Sequence, residues 1–266
     1  MKGVILAGGL GTRLAPLTQI TNKHLLPVWD MPMVHYPLDN LVKSGIEEIM
    51  IVTGGQHAGH FLNVLKNGKG YGLKKLEYAY QEGEGGIADA LKLARNFVGD
   101  DKFCVMLGDN IYQYNAKPWV EEFQFASKTV GALVLSQSPT GLDPSRFGVG
   151  VYPEAELGLS LIEPEVIVEK PVGKQLEAWA KGGKICNILT GTYFYTPDVF
   201  DVCNRLKPSQ RGELEISDVN QHYLEQGQLQ VASIKGWWTD AGTFPSLLQA
   251  SNWVKQDGAN NDQTGS

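Results

Sequence analysis

The segment LAGGLGTRL, residues 6–14, places Gly8, Gly9 and Gly11 just after a short apolar run, with Arg13 close behind. Glycines in that position let backbone N–H groups approach phosphate oxygens, and Arg13 adds a forked cation suited to phosphate. The spacing is neither the dinucleotide fingerprint G-x-G-x-x-G nor the phosphate loop G-x-x-x-x-G-K-S/T. A plain tight turn is the alternative reading. Lys23, in TNKHLLPV, is a second cation near this loop. In an α/β crevice it would anchor a triphosphate or an attacking phosphate; a solvated loop lysine is the alternative. His24 reads equally as a ligand or as a hydrogen-bonded structural histidine.

Two acidic positions complete a phosphate chemistry. Asp109, in MLGDN, follows a buried strand, and Asp240, in GWWTDAGT, follows a second strand-like run. If the fold brings these two strand ends together, the pair would hold one Mg²⁺ between them, with phosphate oxygens completing an octahedron. A cap for the next element is the competing role for Asp109. Glu169 and Lys170, in EKP, suit sugar hydroxyls and a phosphate, or form a surface ion pair. Arg211, in RGELEISD, precedes a helix and also suits a charge-patterned helix start.

The elements that must position these residues alternate. Val4–Ala7 reads as a buried strand, Pro37–Ser44 as a helix stopped by Gly45, and Ile46–Gly55 as a strand with a Gly turn. Residues 57–68 read as a helix, Leu76–Gln81 as a strand, 86–99 as a helix and 102–110 as a strand. Pro118–Ser127 reads as a helix and 129–139 as a strand. This alternation predicts an α/β fold with a mainly parallel, layered sheet. After Pro139 the pattern changes. Residues 147–164 predict short antiparallel strands, 165–171 a strand ending at a proline, and 174–183 a short helix. A strand at 188–197, helices at 197–206 and 214–227, a strand running into an acidic turn at 230–242, and a helix at 244–256 follow. The polar remainder, 257–266, predicts a disordered tail.

Composition narrows the class. The 266 residues are 42% hydrophobic and 20% charged, with a formal net charge of -6, which suits one folded α/β domain and argues against nucleic-acid or acidic-membrane partners. Cys104, Cys186 and Cys203 are odd in number and widely spaced, so neither a disulfide framework nor a zinc site is indicated. No signal-peptide pattern or membrane-length apolar run occurs, and a cytoplasmic location is expected.

The segments KGVILAGGLGTRLAPLT, NKHLLPV, PMVHYPL, LGDN, RFGVGV, EKP, LTGTYFY, RGELEISDVN and WWTDAGT keep one order along nearly the whole chain, to about Trp253. In these motifs the chain resembles the sugar nucleotidyltransferases, most closely the glucose-1-phosphate thymidylyltransferase group in a short form without a C-terminal helical extension. The resemblance implies the nucleotide-diphospho-sugar transferase fold: a three-layer, Rossmann-like sheet with a small antiparallel sugar-binding lobe. Residues 1–138 would mainly bind nucleotide and 139–256 mainly sugar phosphate, within one domain.

The same resemblance implies roles. Leu6, Gly8, Gly9, Gly11 and Thr12 lie at the nucleotide, Arg13 grips the triphosphate, and Lys23 contacts both phosphates at the reacting centre. Gln81 reads the pyrimidine edge, with Gly86 beside the base. Asp109 and Asp240 hold Mg²⁺, and Arg13, Lys23 and Asp109 are the catalytic set. Asn110, Gly148, Glu169, Lys170, Thr190, Tyr193, Arg211 and Trp238 surround the sugar 1-phosphate. The expected substrates are dTTP or UTP and a sugar 1-phosphate, and the expected assembly is a homo-oligomer, dimer or tetramer. The chain departs from the group at His24, where glutamine is usual, and at Ile87, where leucine is common. The rivals are a uridylyltransferase or another nucleotide–sugar pair, and a non-catalytic sugar-nucleotide sensor. The sensor would be expected to lose a metal carboxylate or the loop arginine, and this chain keeps both.

Overall fold

A computed structural model describes residues 1–153 and 163–263. The first apolar run forms β1 (Lys2–Ala7). Val4 and Leu6 enter one buried cluster, and Ile5 and Ala7 enter another on the opposite face. A strand covered on both faces needs apolar residues at every position, so the run is continuous rather than alternating.

A hairpin, β2 (Pro27–Val28) and β3 (Met31–Pro32), leads into α1 (His35–Lys43). Then come β4 (Glu48–Gly54), α2 (Ala58–Leu65), β5 (Lys75–Gln81), α3 (Ile87–Lys92), α4 (Arg95–Val98) and β6 (Phe103–Leu107). β5, β4, β1 and β6 are parallel neighbours, the core that the alternation predicts. The chain continues through β7 (Asn110–Tyr112), α5 (Lys117–Phe125), β8 (Ala132–Gln137), β9 (Gly148–Pro153), β10 (Val166–Glu169) and α6 (Gly173–Lys181). It ends with β11 (Lys184–Tyr195), α7 (Val199–Arg205), α8 (Ile216–Glu225), β12 (Leu229–Ser233), β13 (Trp238–Asp240) and α9 (Phe244–Asp257).

β11 joins the two halves of the chain. It pairs antiparallel with β8 along one edge, and along the other with β9 through its first half and with β6 through its second. β10 extends this antiparallel part through β9, and β12 lies parallel to β8. Both halves therefore contribute to one sheet.

Three local expectations change. The helix over 86–99 divides into α3 and α4. The strand over 230–242 is two strands, because the chain turns at Gly236 with φ 73°. The second of them, β13, pairs with β7 and sets Asp240 opposite Asn110. The predicted disordered tail is in part packed: Asn260 is 1% exposed and its side chain donates to Tyr36 O and Asp39. Asn115 binds Asn261 O and Asp262 in the same way. Composition counts these amides as polar, whereas here they satisfy buried polar partners. Residues 154–162 of the predicted antiparallel patch and 264–266 of the tail lie outside the described residues. Among the described residues, no helix is long and apolar enough to cross a membrane.

Candidate active site

Two cavities open at the carboxyl ends of the parallel strands, the usual place for ligands in such sheets. The smaller, about 250 Å³, is lined by Leu6, Gly8, Gln81, Gly86 and Ile87 among others. The larger, about 590 Å³, is lined by Gly11, Thr12, Arg13, Asn110, Gly148, Glu169, Lys170, Tyr193, Arg211, Trp238 and Asp240. Gly9, Lys23, Glu84, Ile87, Leu107, Asp109 and Glu213 line both, so the cavities meet along a seam that includes Lys23 and Asp109.

The glycine loop is shaped around Lys23. Gly11 has φ 68°, and a Cβ there would lie 2.7 Å from the Lys23 Cβ. Lys23 Nζ donates to Asp109 Oδ2 at 2.5 Å, and the pair is largely buried. Burial alone would raise the Asp109 carboxyl, but the charge and hydrogen bond of Lys23, helped by Asn110, hold it well below the ordinary range. Asn110 is a positioning group: its Nδ2 donates to Asp109 Oδ1 at 3.0 Å. Its own oxygen accepts from Trp238 Nε1 at 2.6 Å and Gly191 N at 3.0 Å.

The ribbon of β7 and β13 brings the second carboxylate to the first. A Cβ on Gly242 would lie 3.3 Å from Asp240 Oδ2, 3.5 Å from Asp109 Oδ2 and 2.9 Å from Arg13 Nη2. Two carboxylates and the loop arginine thus face one small volume. Burial, then the charge of Asp109, raises Asp240 to about 6, against the opposing charges of Arg146, Arg13 and Lys23. Arg146 has no place in the sequence reading. It sits in a short turn capped by Asp143, and its Nη2 is 3.4 Å from both Asp240 carboxylate oxygens. Its only sequence signal is its place in the motif RFGVGV.

His24 is 2% exposed, and its Nδ1 lies 2.8 Å from Asn22 Oδ1. Burial, then the Lys23 charge, lowers it to about 3. A neutral, hydrogen-bonded histidine packs beneath the strand end that carries Asp109: a Cβ on Gly108 would lie 2.8 Å from its Cδ2.

On the far side, Glu169 Oε2 accepts from Ser217 Oγ at 2.5 Å. Gly148 faces this pair, for a Cβ there would lie 2.6 Å from Ser217 Oγ. Arg211 forks onto Glu215, at 2.9 and 2.7 Å from the two oxygens, and lies 3.6 Å from Glu169. Lys170 Nζ is 3.7 Å from Glu169. Thr190 is not brought to the site. It is fully buried, and its hydroxyl donates to Leu135 O at 3.0 Å. The register of β11 against β8 shifts between Leu189 and Tyr193, so closeness to Tyr193 in sequence does not set which way Thr190 points.

A family model described as Nucleotidyl transferase matches residues 2–257. The chain belongs to the nucleotidyl transferase family. Within it, the chain is 40% identical over 257 residues to a glucose-1-phosphate thymidylyltransferase of Neisseria gonorrhoeae, covering 96% of this chain and 83% of that protein. It is 38% identical to the protein of the same name from Mycobacterium tuberculosis, over 96% and 82% of the two chains. A Bacillus anthracis protein, provisionally given that name and crystallised with sucrose, superposes with a TM-score of 0.82 at 42% identity, over 100% and 98% of the chains. A UDP-glucose pyrophosphorylase in complex with UDP-glucose shares the nucleotidyl transferase fold at TM-score 0.77 and 23% identity, over 96% and 98% of the chains. The family resemblance read from the motifs is borne out.

Proposed function

We propose that this chain is a glucose-1-phosphate thymidylyltransferase, converting dTTP and α-D-glucose 1-phosphate to dTDP-glucose and pyrophosphate. The observation that carries the reading is the Lys23–Asp109 pair, set where the smaller and larger cavities meet. A reaction between a nucleotide in one and a sugar phosphate in the other takes place at that seam. The names of the relatives at 36–40% identity supply the substrates.

The sugar phosphate oxygen is already anionic near neutral pH, so it needs no general base. It forms a bond to the α-phosphorus of dTTP as the bond to pyrophosphate breaks. Catalysis is then positioning and charge stabilisation. Lys23 supplies a cation at the seam, and Arg13 supplies a fork on the side of the glycine loop. Glu169 and Arg211 orient the sugar phosphate from the opposite wall.

Asp109 and Asp240 fit a hard divalent cation such as Mg²⁺. Both offer carboxylate oxygens to one point, and burial, then the charge of Asp109, raises Asp240. Among the described residues, no group of three or more His, Cys, Asp or Glu is arranged for a metal, so phosphate and water oxygens would complete the shell. When bound, Mg²⁺ supplies charge neutralisation at the phosphate oxygens.

The test is pyrophosphate release from a matrix of nucleoside triphosphates and sugar 1-phosphates, with Mg²⁺ and with chelator. The highest kcat/KM should fall on dTTP with glucose 1-phosphate, and chelator should abolish turnover. Preference for another pair, or full activity in chelator, overturns the corresponding part of the proposal.

A further inference from the structure

Gln81 closes β5 with its amide buried in the wall of the smaller cavity, 7% exposed. Its Nε2 lies 3.2 Å from Gly86 O and 3.3 Å from Asp89 Oδ2. Neither partner has a proton to give. One is a backbone carbonyl. The other is a carboxylate whose second oxygen is 2.8 Å from Lys92 Nζ. That hydrogen bond from Lys92, with the one from Gln81, holds Asp89 below the ordinary carboxyl range.

Two acceptors on one side settle which way the amide faces. The reversed amide would set its oxygen against a carbonyl and a carboxylate, acceptor against acceptor. Oε1 therefore points the other way, across Gly8, where it would lie 2.8 Å from a Cβ on that residue. Among the described residues, no group donates to Oε1 in return. The Gln81 side of the cavity thus presents Oε1 as an acceptor.

We infer that Asp89 is a specificity-positioning residue: by holding Gln81 Nε2 it keeps Oε1 turned into the cleft, so that the site takes bases with a ring imino N–H. Thymine and uracil carry that proton on N3. Cytosine has a lone pair there, and meets Oε1 acceptor against acceptor. The inference rests on the smaller cavity being the nucleotide site, as proposed above, and adds how its base is chosen. Asp89 touches no substrate in this account; it acts through Gln81. Its own place is fixed by the first turn of α3 and by Gly85, where any Cβ would collide with its carboxylate.

The experiment measures kcat/KM for dTTP and dCTP with glucose 1-phosphate in the full chain and in three variants. In Asp89→Leu the carboxylate acceptor is gone, and the dTTP to dCTP ratio should fall about tenfold, the weight of one hydrogen bond. Asp89→Asn, a gentler change, should lower it severalfold, because its amide accepts or donates and no longer dictates the orientation. Lys92→Met breaks the same ion pair but keeps the carboxylate, and its ratio should match wild type. A wild-type ratio in both Asp89 variants overturns the inference, as does an equal loss in Lys92→Met. Those results would leave the proposed activity standing. A wild-type chain that turns over no dTTP would instead remove the functional reading and this inference with it.

Discussion

Lys23 Nζ lies 2.5 Å from Asp109 Oδ2, with both side chains nearly buried and the two residues 86 positions apart in sequence. Each neutralises the other in a place where a lone charge is costly. Lys23→Met therefore has two effects. It removes the cation from the seam, and kcat should fall by about two orders of magnitude. It also strands Asp109, and stability in metal-free buffer should fall by about 3 kcal/mol. Adding Asp109→Asn should restore the stability and leave the activity lost. Denaturant titration beside a pyrophosphate assay separates these outcomes; a double variant no more stable than Lys23→Met would show that the pair is not what the fold depends on here.

Asp240 gives a pH signature of a definite sign. Its folded pKa is raised to about 6 by burial and by Asp109, above the ordinary carboxyl value. A raised acid favours folding below its unfolded pKa, and that contribution is lost as pH rises through about 6. Asp240→Asn, which never charges, should be more stable than wild type at pH 8 in chelator, by about 2 kcal/mol. The gain should vanish near pH 4. Adding Mg²⁺ at pH 8 should raise the melting temperature of wild type and leave Asp240→Asn nearly unmoved. Equal melting shifts in the two proteins would remove Asp240 from the metal site.

His24 should behave in the opposite sense. Its folded pKa is lowered to about 3, so below pH 6.5 the unfolded chain takes up a proton that the folded one refuses. Stability is full above the unfolded pKa and is lost as pH falls through the interval down to the folded value. Each pH unit inside that interval costs at most about 1.4 kcal/mol. His24→Gln, with no proton to refuse, should gain on wild type between pH 6.5 and 4.5. Parallel stability curves for the two proteins over that range would contradict a neutral, buried His24.

The parallel core and the glycine loop were legible because each has a local signal. Val4–Ala7 is apolar at every position, and the glycines follow it at once. Asp109 was legible as the first acid beyond the apolar run of β6. The meeting of Asp109 with Asp240 was not. It depends on β7 and β13, strands of 3 residues each, too short to show a period. Arg146 escaped notice for a related reason: its partner Asp240 is 94 residues away, and a lone arginine before an aromatic residue reads as surface. Asn260 was misread because an amide buried against backbone partners has the same composition as one in a loose tail. In each case the missing information was a long-range pairing, which side-chain type alone does not carry.

Gly11 offers the most direct test of how the loop sets the lysine. Its φ of 68° is the left-handed region, and a Cβ there would lie 2.7 Å from Lys23 Cβ and 3.2 Å from Lys23 Cδ. Gly11→Ala must relax both strains, and the side chain nearest to hand is Lys23. Stability should fall by about 1–2 kcal/mol from the backbone alone. Displacing the lysine from the seam should also cost about tenfold in kcat, with dTTP affinity little changed. Gly9→Ala is the matched control. Its Cβ would sit 3.5 Å from Lys23 Cε, an ordinary contact, and its backbone is outside the left-handed region. That variant should keep wild-type stability and leave Lys23 in place, so its cost should fall on dTTP KM at the nucleotide loop rather than on kcat. If the two alanine variants lose turnover equally, loop packing in general controls the rate. If only Gly11→Ala does, the lysine is held in place by the residue the turn requires.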